Sequence, residues 1–341
     1  MFPDLDIEQP AALLAYLRAG GWIAADEQPA LTMLAGGVSN RTMLVQRENG
    51  EGWVVKQALA KLRVAVDWFS SPERIHVEAR GLEVLAPLCP PGSVPRLIFE
   101  DLPNFIMAME AVPQPHANWK QMLLAGDLQA DHIAQFARLL ATIHRETGLR
   151  RAALMADFGD RSFYESLRLE AYYLYTGTQV PESAAFYAAL VAETRARQDA
   201  LVHGDYSPKN VLVHGGQLVL LDYEVAHLGE PAFDLGFSLT HLLSKAHHLP
   251  RRRADFAQAA ADYWAIYRQA LGAAPWAGGL EARAIRHTLG CLLARVHGRS
   301  ALEYLSAGEH ARQRAAVLPL MAAPPERVDD LITAFVANLG E

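Results

Sequence analysis

Cysteine is scarce in this sequence, with Cys89 and Cys291 the two cysteines among 341 residues. They lie far apart and outside any CxxC or His-paired spacing, which argues against a disulfide framework and against a zinc site. Positive charge is also in deficit, with 31 Lys+Arg against 38 Asp+Glu and a net charge of −7. Because clustered basic residues bind nucleic-acid phosphates, this balance argues against a dedicated nucleic-acid binder.

Long apolar runs are missing too. No uninterrupted run approaches the roughly 20 residues needed to cross a bilayer. Asp4, Asp6 and Glu8 precede any apolar stretch and no basic segment opens the chain, which argues against a signal peptide. With 51% hydrophobic and 20% charged residues, the chain is expected to be folded throughout, in about two domains. We therefore expect a cytoplasmic enzyme or binding protein with no membrane partner, and the oligomeric state stays open.

The first part of the chain is rich in predicted strands. A helical pattern over residues 7–24 ends at Gly20-Gly21, and a second predicted helix spans 72–88. Period-two patterns and turn residues predict the strands 31–34, 42–46, 53–56, 96–99 and 105–109. The sequence thus predicts a small β-rich domain over residues 1–111.

After the Pro-rich stretch at 112–115 the composition turns to Ala and Leu. Helices are predicted over 133–145, 163–174, 181–200, 254–270, 281–293 and 325–339. One β-like island interrupts them, at 201–202, 211–213 and 218–221, with a Gly-rich hairpin turn between its last two strands. Residues 112–341 are therefore predicted to form a larger, mainly helical domain, giving an α+β fold with two lobes.

The β-like island carries the candidate catalytic and metal-binding residues. Asp205 and Asn210 stand in Leu201-Val-His-Gly-Asp-Tyr-Ser-Pro-Lys-Asn210, and Asp222 follows an apolar strand. One carboxylate can take the proton of an attacking hydroxyl, while a second carboxylate and an amide oxygen suit Mg²⁺. Asp205 could instead cap a turn, but Asp222 after four apolar residues would be costly as an unpartnered charge. The constellation indicates phosphoryl transfer.

These motifs resemble a known family, the aminoglycoside phosphotransferase, choline kinase and methylthioribose kinase group. His203-Gly204-Asp205 with Asn210 is similar to its HGDxxxxN loop, and Leu221-Asp222-Tyr223-Glu224 is similar to its metal-binding D[WYF]E string. The resemblance implies a two-lobe protein-kinase-like fold that uses ATP and Mg²⁺. It implies Asp205 as catalytic base, Asn210 and Asp222 as Mg²⁺ ligands, and His203 as a structural member of the loop.

Two further acidic residues receive supporting roles. Asp234, in Pro231-Ala-Phe-Asp-Leu-Gly236, resembles the family's Asp that orders the catalytic loop through hydrogen bonds. Glu224 either contacts metal or only braces Asp222, and the sequence leaves this choice open.

The first domain supplies candidate nucleotide contacts. Gly36, Gly37, Ser39 and Asn40 form a Gly-rich turn whose backbone amides could approach phosphates, although the GxGxxG of protein kinases is absent. Lys56 ends an apolar strand, from which it could reach the α- and β-phosphates. Further candidates are Glu78, as the ion-pair partner of that lysine, and the backbone of Glu110 to Val112, as the segment facing the adenine edge.

The acceptor is less well specified. Residues 54–80 resemble methylthioribose kinase, but HGDYSPKN and DYE depart from that enzyme's HGDLHTGS and DPE. Arg295 and Arg299, which interrupt an apolar helix, and Tyr206 are candidate acceptor contacts, with helix-end capping as the alternative for the arginines. The helical domain lacks a dense acidic cluster beyond Asp205, Asp222 and Glu224. This favours a neutral or anionic, sugar-like hydroxylated acceptor over aminoglycosides or choline.

Other functional classes fit the sequence less well. A nucleotide-binding pseudokinase is the main alternative, although the set of Lys56, Asp205, Asn210 and Asp222 argues against it. A dehydrogenase is disfavoured because no strand leads through GxGxxG into a helix. A protein kinase is disfavoured because no activation segment or APE string follows Asp222. The leading hypothesis is a small-molecule kinase with a sugar-like hydroxyl acceptor. An aminoglycoside or choline/ethanolamine-type kinase, for which an acidic acceptor site is expected, is the alternative.

Overall fold

The strands and helices of the chain are grouped in two units. The computed structural model describes residues 5–34, 37–63 and 67–340. Unit 1 comprises Met1–His116 and Val219–Glu224, and unit 2 comprises Ala117–Leu218 and Val225–Glu341. The sequence predicted a boundary between residues 111 and 112. The structure extends unit 1 to His116 and adds to it a short segment from the middle of the chain.

Unit 1 is built on a five-stranded antiparallel sheet of order β1-β2-β3-β5-β4. Its strands are β1 (Ala30–Met33), β2 (Asn40–Gln46), β3 (Gly52–Ala58), β4 (Leu97–Asp101) and β5 (Ile106–Glu110). In β2, Met43 and Val45 are buried two residues apart, as expected of a strand with one face on the core. The central strand is β3, where Lys56 pairs with Thr42 of β2 and with Met107 of β5.

Two helices accompany this sheet, α1 (Pro10–Ala19) and α2 (Arg74–Leu85). Leu13 and Leu17 of α1 are fully buried in one core with residues of the sheet. Just after α1, the indole of Trp22 stacks on the ring of Phe99 in β4, with centroids 3.9 Å apart and planes 10° from parallel. The apolar side of α1 thus belongs to the core of unit 1, which agrees with its sequence pattern.

The segment Val219–Glu224 belongs to unit 1 because its contacts are there. The amide of Leu220 donates to the carbonyl of Ser93, at 2.8 Å. Tyr223 is fully buried and packs against α2 at Gly81, where an added Cβ would stand 2.9 Å from the Tyr223 Cβ. The Asp222-Tyr223-Glu224 string is therefore held by the unit that also carries Lys56.

Unit 2 is mainly helical. Its helices are α3 (Trp119–Leu124), α4 (Ala130–Leu149), α5 (Arg151–Phe158), α6 (Ser162–Tyr164), α7 (Tyr175–Gln179), α8 (Ala184–Arg195), α9 (Ala232–His248), α10 (Arg253–Leu271), α11 (Leu280–His297), α12 (Ala307–Ala322) and α13 (Val328–Asn338). A π-helical stretch, Glu165–Leu174, joins α6 to α7. One-turn 3₁₀ helices occupy Pro181–Ser183, Pro208–Asn210 and Pro250–Arg252.

Short strands position the loops of the island. They are β6 (His116–Asn118), β7 (Ala200–Val202), β8 (Val211–His214), β9 (Gln217–Leu220) and β10 (His227–Gly229). β7 pairs antiparallel with β10, and a three-stranded sheet has the order β6-β8-β9. Gly215 and Gly216, between β8 and β9, have φ of 56° and 81°, a conformation that glycine adopts without a steric cost.

Helix α9 lies in the centre of unit 2, and all but the last of its 17 residues are buried. At Gly236 it approaches α11 so closely that an added Cβ would stand 2.5 Å from the backbone of His287. Thr240 also donates to the carbonyl of Thr288, at 3.2 Å. The glycine is what permits this close contact between the two helices.

The predicted fold class is confirmed, since a small antiparallel β-rich unit and a larger, mainly helical unit are present. A helix is present over the predicted range 163–174, and most of it is π-helical. Helix α9 was not predicted, because a helix buried on every side shows no apolar stripe. Within the described residues no helix has the length and apolar character to span a bilayer, and both cysteines are buried and unbridged.

Replacing Gly81 by Ala tests how closely α2 packs on Tyr223. Gly→Ala inside a helix normally stabilises by about 0.5–1 kcal/mol. Here we expect a loss of about 1–3 kcal/mol, because the new methyl group overlaps the Tyr223 side chain near its backbone. Denaturant unfolding measures the change.

Gly308→Ala is the matched control for Gly81→Ala. Gly308 is also helical, but its added Cβ would meet atoms no closer than 3.6 Å. The control is expected to be neutral or slightly stabilising. Equal effects of the two substitutions would contradict the described packing of Tyr223.

Candidate active site

A buried ion pair joins β3 to α2 in unit 1. Lys56 Nζ lies 2.5 Å from Glu78 Oε1, and Glu78 is completely buried. Burial alone lowers the pKa of Lys56, but the negative charges of Glu78 and then Asp222 outweigh it, so the pKa is raised. Burial raises the pKa of Glu78, and the charge of Lys56 opposes that effect. Lys56 is therefore a permanently charged group held in a fixed place.

Asp222 lies beside this pair. Its Oδ1 is 4.0 Å from Lys56 Nζ, and its side chain is a quarter exposed. The backbone of Asp222 has φ of 74°, a left-handed conformation that is uncommon outside glycine. Such strain persists where surrounding contacts impose it, and it is frequent at functional sites. The turn aims a carboxylate that is solvent-accessible but fixed by its neighbours.

Glu224 and the Gly-rich loop are fastened by a single arginine. Arg74 of α2 is completely buried, and its Nε lies 3.1 Å from Glu224 Oε2. Its guanidinium also donates to the carbonyls of Ser39 and of Leu59, the latter at 2.8 Å. Glu224 thus has an arginine partner, and the choice between metal ligation and bracing of Asp222 stays open.

The predicted phosphate loop is described in part, and Gly36 lies outside the described residues. At Gly37 an added Cβ would stand 3.1 Å from the carbonyl oxygen of Asn40, so a larger residue would crowd the turn. The carbonyl of Ser39 accepts from Arg74 and from the amide of Leu59. Asn40 Oδ1 is buried with no hydrogen-bond partner among the described residues. The loop is thus anchored at Ser39.

The predicted adenine-facing segment follows β5. The amide of Glu110 donates to the carbonyl of Arg96 at 2.9 Å, and the amide of Ala111 donates to that of Gly52 at 2.9 Å. The Glu110 side chain forms an ion pair with Arg96. The amides of residues 110 and 111 are thus used by the sheet, so adenine recognition by this segment would fall to Val112 and to remaining carbonyl groups.

Asp205 stands in unit 2, in the loop between β7 and β8. Asn210 Nδ2 donates to its Oδ2 at 2.9 Å, and Arg168 Nη2 lies 3.1 Å from the same oxygen. Burial alone would raise the pKa of Asp205, but the charge of Arg168 outweighs it, with help from Lys209 and from the Asn210 hydrogen bond. The pKa of Asp205 is therefore lowered, and the carboxylate is ionised at neutral pH.

A second buried carboxylate shapes this loop. Asp234, at the start of α9, accepts from the amide of His203 at 2.7 Å and from the amide of Gly204 at 2.9 Å. The amide of Asp205 in turn donates to His203 Nδ1, at 3.2 Å. Gly204 has φ of 76°, and an added Cβ would stand 2.8 Å from a Val225 methyl group. The loop conformation is thus set by hydrogen bonds to its backbone.

The acceptor residues predicted from the sequence have different positions. Tyr206 is completely buried, and its hydroxyl donates 2.7 Å to the carbonyl of Phe136. The prediction that Tyr206 lines an acceptor pocket is therefore wrong, because its ring belongs to the core. Arg299 is exposed, with its guanidinium 5.0 Å from the ring centroid of Tyr175. Arg295 is buried and faces the interior of unit 2.

The donor groups fit a magnesium ion better than a transition metal. Among residues 5–34, 37–63 and 67–340, no group of three or more His, Cys, Asp or Glu side chains could hold a metal ion by itself. The carboxylate of Asp222 and the amide oxygen of Asn210 are hard oxygen donors. Mg²⁺ typically takes one or two protein oxygens and completes its shell with water and substrate phosphates. Asp222 in unit 1 and Asn210 in unit 2 are each a donor of the type that Mg²⁺ accepts.

Comparison with known proteins agrees with this chemistry. Residues 30–274 match the family model described as the phosphotransferase enzyme family, APH. This chain belongs to that phosphotransferase family. A rice methylthioribose kinase (Oryza sativa subsp. japonica) is 27% identical to it over 264 residues, which are 68% of this chain and 62% of the rice protein. The chain thus matches less than two thirds of the length of this curated relative.

Solved structures share the fold of this chain. A macrolide 2′-phosphotransferase from Brachybacterium faecium superposes with a TM-score of 0.56 at 20% identity, covering 92% of this chain and 98% of that chain. An amicoumacin kinase solved with AMP-PNP, Ca²⁺ and Ami gives a TM-score of 0.59 at 16% identity, covering 88% and 90%. At these identities the likeness concerns the fold.

Two residues of the candidate site, Arg168 and Arg74, were not predicted from the sequence. Arg168 pairs with Asp205 from a π-helical stretch 37 residues earlier in the chain. Arg74 joins the Gly-rich loop to Glu224 across 150 residues of sequence. Each is an arginine within a helical segment, and the sequence carries no further signal of its partner. Surface arginines show the same pattern, so the tertiary contacts were needed to find these two.

Replacing Arg168 by Met tests its effect on Asp205. The pKa of Asp205, now lowered, should rise when Arg168 is lost, because burial is then opposed only by weaker effects such as Lys209 and the Asn210 hydrogen bond. We expect a stability loss of about 2–4 kcal/mol at pH 8, where the buried carboxylate is charged without its partner. The loss should shrink toward pH 5, because the variant's Asp205 takes up a proton there. Urea unfolding at both pH values measures this dependence.

Arg195→Met is the control for Arg168→Met. Arg195 forms an ion pair with Glu165 at 2.7 Å, but its side chain is 47% exposed. Its removal should cost less than about 1 kcal/mol at either pH. A pH-independent loss in Arg168→Met would contradict the assigned role of Arg168.

Proposed function

We propose that this phosphotransferase is a small-molecule kinase that transfers the γ-phosphoryl group of ATP to a hydroxyl of a small, sugar-like molecule. The observation that carries the proposal is the ionised Asp205, which is held by Asn210 and Arg168 at distances of 2.9 and 3.1 Å. A carboxylate of lowered pKa, fixed by two partners, is suited to orient a hydroxyl and to receive its proton during transfer.

The roles of the other groups follow from their surroundings. Lys56, charged and fixed by Glu78, would bind the α- and β-phosphates, and the loop of Gly37, Ser39 and Asn40 would cover them. Asp222 and Asn210 would hold Mg²⁺, which when bound neutralises phosphate charge. Unit 1 would thus bind the nucleotide, and unit 2 would supply Asp205 and the acceptor contacts.

The proposed reaction is a direct transfer. The acceptor oxygen forms a bond to the γ-phosphorus while the bond from that phosphorus to the oxygen of ADP breaks. The hydroxyl proton passes to Asp205 and then to water. Asp205 also has Arg168 as a neighbour, which keeps the carboxylate charged before the step and so ready to accept a hydrogen bond from the hydroxyl.

A sugar-like acceptor is supported by the relatives rather than by a described pocket. Several curated proteins that resemble this chain at 24–27% identity are methylthioribose kinases. The loop HGDYSPKN differs from the one typical of that enzyme. We therefore propose a hydroxylated acceptor of related size, without assigning methylthioribose itself.

Asp205→Ala should abolish turnover and spare nucleotide binding. With the base removed, kcat is expected to fall by about 10²–10⁴-fold, while the shift of Tm caused by Mg²⁺ and ATP stays within error. Asp262→Ala, at the exposed surface of α10, is a matched loss of one carboxylate and should leave both unchanged. Full activity of Asp205→Ala toward its acceptor would refute the assignment of the base.

Asp222→Ala, in contrast to Asp205→Ala, should impair binding of the nucleotide with Mg²⁺. Loss of a metal ligand is expected to remove the Mg²⁺-dependent part of the ATP-induced Tm shift. A separate variant, Lys56→Met, should raise KM for ATP more than it lowers kcat. Differential scanning fluorimetry with ATP, with and without Mg²⁺, gives the first readout. An unchanged Mg²⁺-dependent shift in Asp222→Ala would show that the metal is bound elsewhere.

A further inference from the structure

A group of cationic side chains in unit 2 has no part in the contacts described above. Lys245 of α9 is completely buried, and its Nζ lies 5.6 Å from the ring centroid of Tyr304. Lys120 of α3 lies 5.8 Å from the same centroid and forms an ion pair with Glu303. We name the following residues the Lys245 cluster: Lys120, His241, Lys245, Arg295, Glu303 and Tyr304.

Arg295 and His241 complete the cluster from α11 and α9. Arg295 Nη1 donates to the hydroxyl of Tyr172 at 3.0 Å and to Ser300 Oγ at 2.9 Å. The Arg295 guanidinium lies 5.9 Å from the ring centroid of Phe237, whose ring centroid is in turn 5.0 Å from that of His241. Two helices and the loop after α11 therefore bring polar groups to one place.

Several buried polar atoms in and beside the Lys245 cluster lack a hydrogen-bond partner among the described residues. Lys245 Nζ donates to a carbonyl of its own helix, that of His241, at 3.2 Å. Within the described residues, these buried atoms have no hydrogen-bond partner: Arg295 Nε, both ring nitrogens of His241, the Tyr304 hydroxyl and Ser244 Oγ. Buried polar groups are nearly always bonded. A concentration of unbonded donors on three elements indicates a polar ligand that completes the set.

The charge of the cluster indicates the sign of that ligand. Burial, followed by the charges of Lys120 and Arg295, lowers the pKa of Lys245 to about 7, although Glu303 acts in the opposite direction. Burial also lowers the pKa of His241, as do Arg295 and Lys245, so its ring is neutral. Three cationic groups thus share one carboxylate, and an uncompensated buried ammonium is costly. An anion would offset this cost.

Glu303 is the most exposed member of the Lys245 cluster. Its side chain is 66% exposed, and that of its partner Lys120 is 18% exposed, whereas Lys245 is completely buried. A flexible surface carboxylate therefore neutralises the outer part of the cluster. A ligand anion could displace it at small cost, because exposed ion pairs contribute little.

The cluster is connected to Asp205 through a shared aromatic ring. The guanidinium of Arg295 lies 5.6 Å from the ring centroid of Tyr172, and that of Arg168 lies 5.8 Å from it. Arg168 is the arginine that pairs with Asp205. Lys209 also influences the pKa of both Asp205 and His241. A small molecule held by the cluster would therefore lie near the proposed base.

We propose that the Lys245 cluster binds the anionic group, a carboxylate or a phosphate, of the small molecule whose hydroxyl is phosphorylated. This rests on the proposed function and narrows its substrate class to anionic acceptors. Cationic acceptors such as aminoglycosides or choline would be repelled by Lys120 and Arg295. It also explains why a basic cluster is buried in a protein of net charge −7.

The test measures anion binding directly. Isothermal titration of the protein with inorganic phosphate, with glycerate and with glycerol is carried out in the presence of ADP and Mg²⁺, so that the nucleotide site is filled. We expect binding of phosphate or glycerate and none of glycerol. Phosphate and glycerate distinguish the two forms of the anionic group. Failure of both anions to bind would overturn the proposal.

Two variants locate the binding and change it in opposite directions. Lys245→Met should lower the affinity for the preferred anion by at least about 30-fold, because a buried charge partner is lost. It should also raise Tm in the absence of anion, since it removes an uncompensated buried amine. Glu303→Gln, at an exposed position, should raise the affinity for the anion by about 3–10-fold, because it removes a competing carboxylate.

Lys61→Met is the matched control for Lys245→Met. Lys61 is exposed and pairs with Asp67 at 2.7 Å, so this variant loses the same charge far from the cluster in sequence. It should bind the anion as the wild type does. Unchanged affinity in Lys245→Met and in Glu303→Gln would overturn the proposal, and Glu303→Gln decides alone if Lys245→Met fails to fold.

The same samples separate this proposal from the proposed function. The Mg²⁺-dependent Tm shift with ATP reports the nucleotide site, and it does not involve the cluster. If that shift is present but no anion binds, the kinase assignment stands and the acceptor is not anionic. If the anion binds with the predicted variant pattern but no nucleotide does, the cluster stands as an anion site and the kinase assignment fails.

Discussion

The catalytic loop depends on one buried carboxylate. Asp234 has no exposed surface, and two backbone amides of the loop, those of His203 and Gly204, donate to its two oxygens. Because a charged acceptor fixes both amides, the chain turns at Gly204 with φ of 76° and presents Asp205 next to Arg168 and Asn210. Without this anchor, the position of Asp205 would be left to a loop of irregular backbone.

Three buried cationic side chains in this protein have different partners. Lys56 has the carboxylates of Glu78 and Asp222, at 2.5 and 4.0 Å, and stays charged. Arg74 has Glu224 and several backbone carbonyls, and it holds two loops together. Lys245 has one carbonyl of its own helix and two cationic neighbours. Lys245 thus has less counter-charge nearby than Lys56 or Arg74, and burying a charge without compensation is costly, which is why we propose an anion beside it.

Local patterns predicted the strand-rich and helical parts of the chain well. Alternation in β2 and the apolar stripe of α4 report burial on one side, which is a local property. The same logic failed for α9, whose residues are buried all round. It predicted a helix over 163–174 but not the π-helical turns of Glu165–Leu174. It also failed for Tyr206, because an aromatic next to a motif does not reveal which way its ring packs. The Tyr206 hydroxyl donates a hydrogen bond to the carbonyl of Phe136.

The sequence by itself determined the family and the short-range motifs, since Asp205, Asn210 and Asp222 lie within one strand-loop-strand segment whose spacing is readable along the chain. Only the tertiary structure decided the partners of those residues. Arg168 meets Asp205, Arg74 meets Glu224, and Lys245 meets Tyr304 across long stretches of chain, with no sequence pattern to join them. The physical reason is that electrostatic stabilisation depends on distance and burial in space, and these are set by packing rather than by neighbours in the sequence.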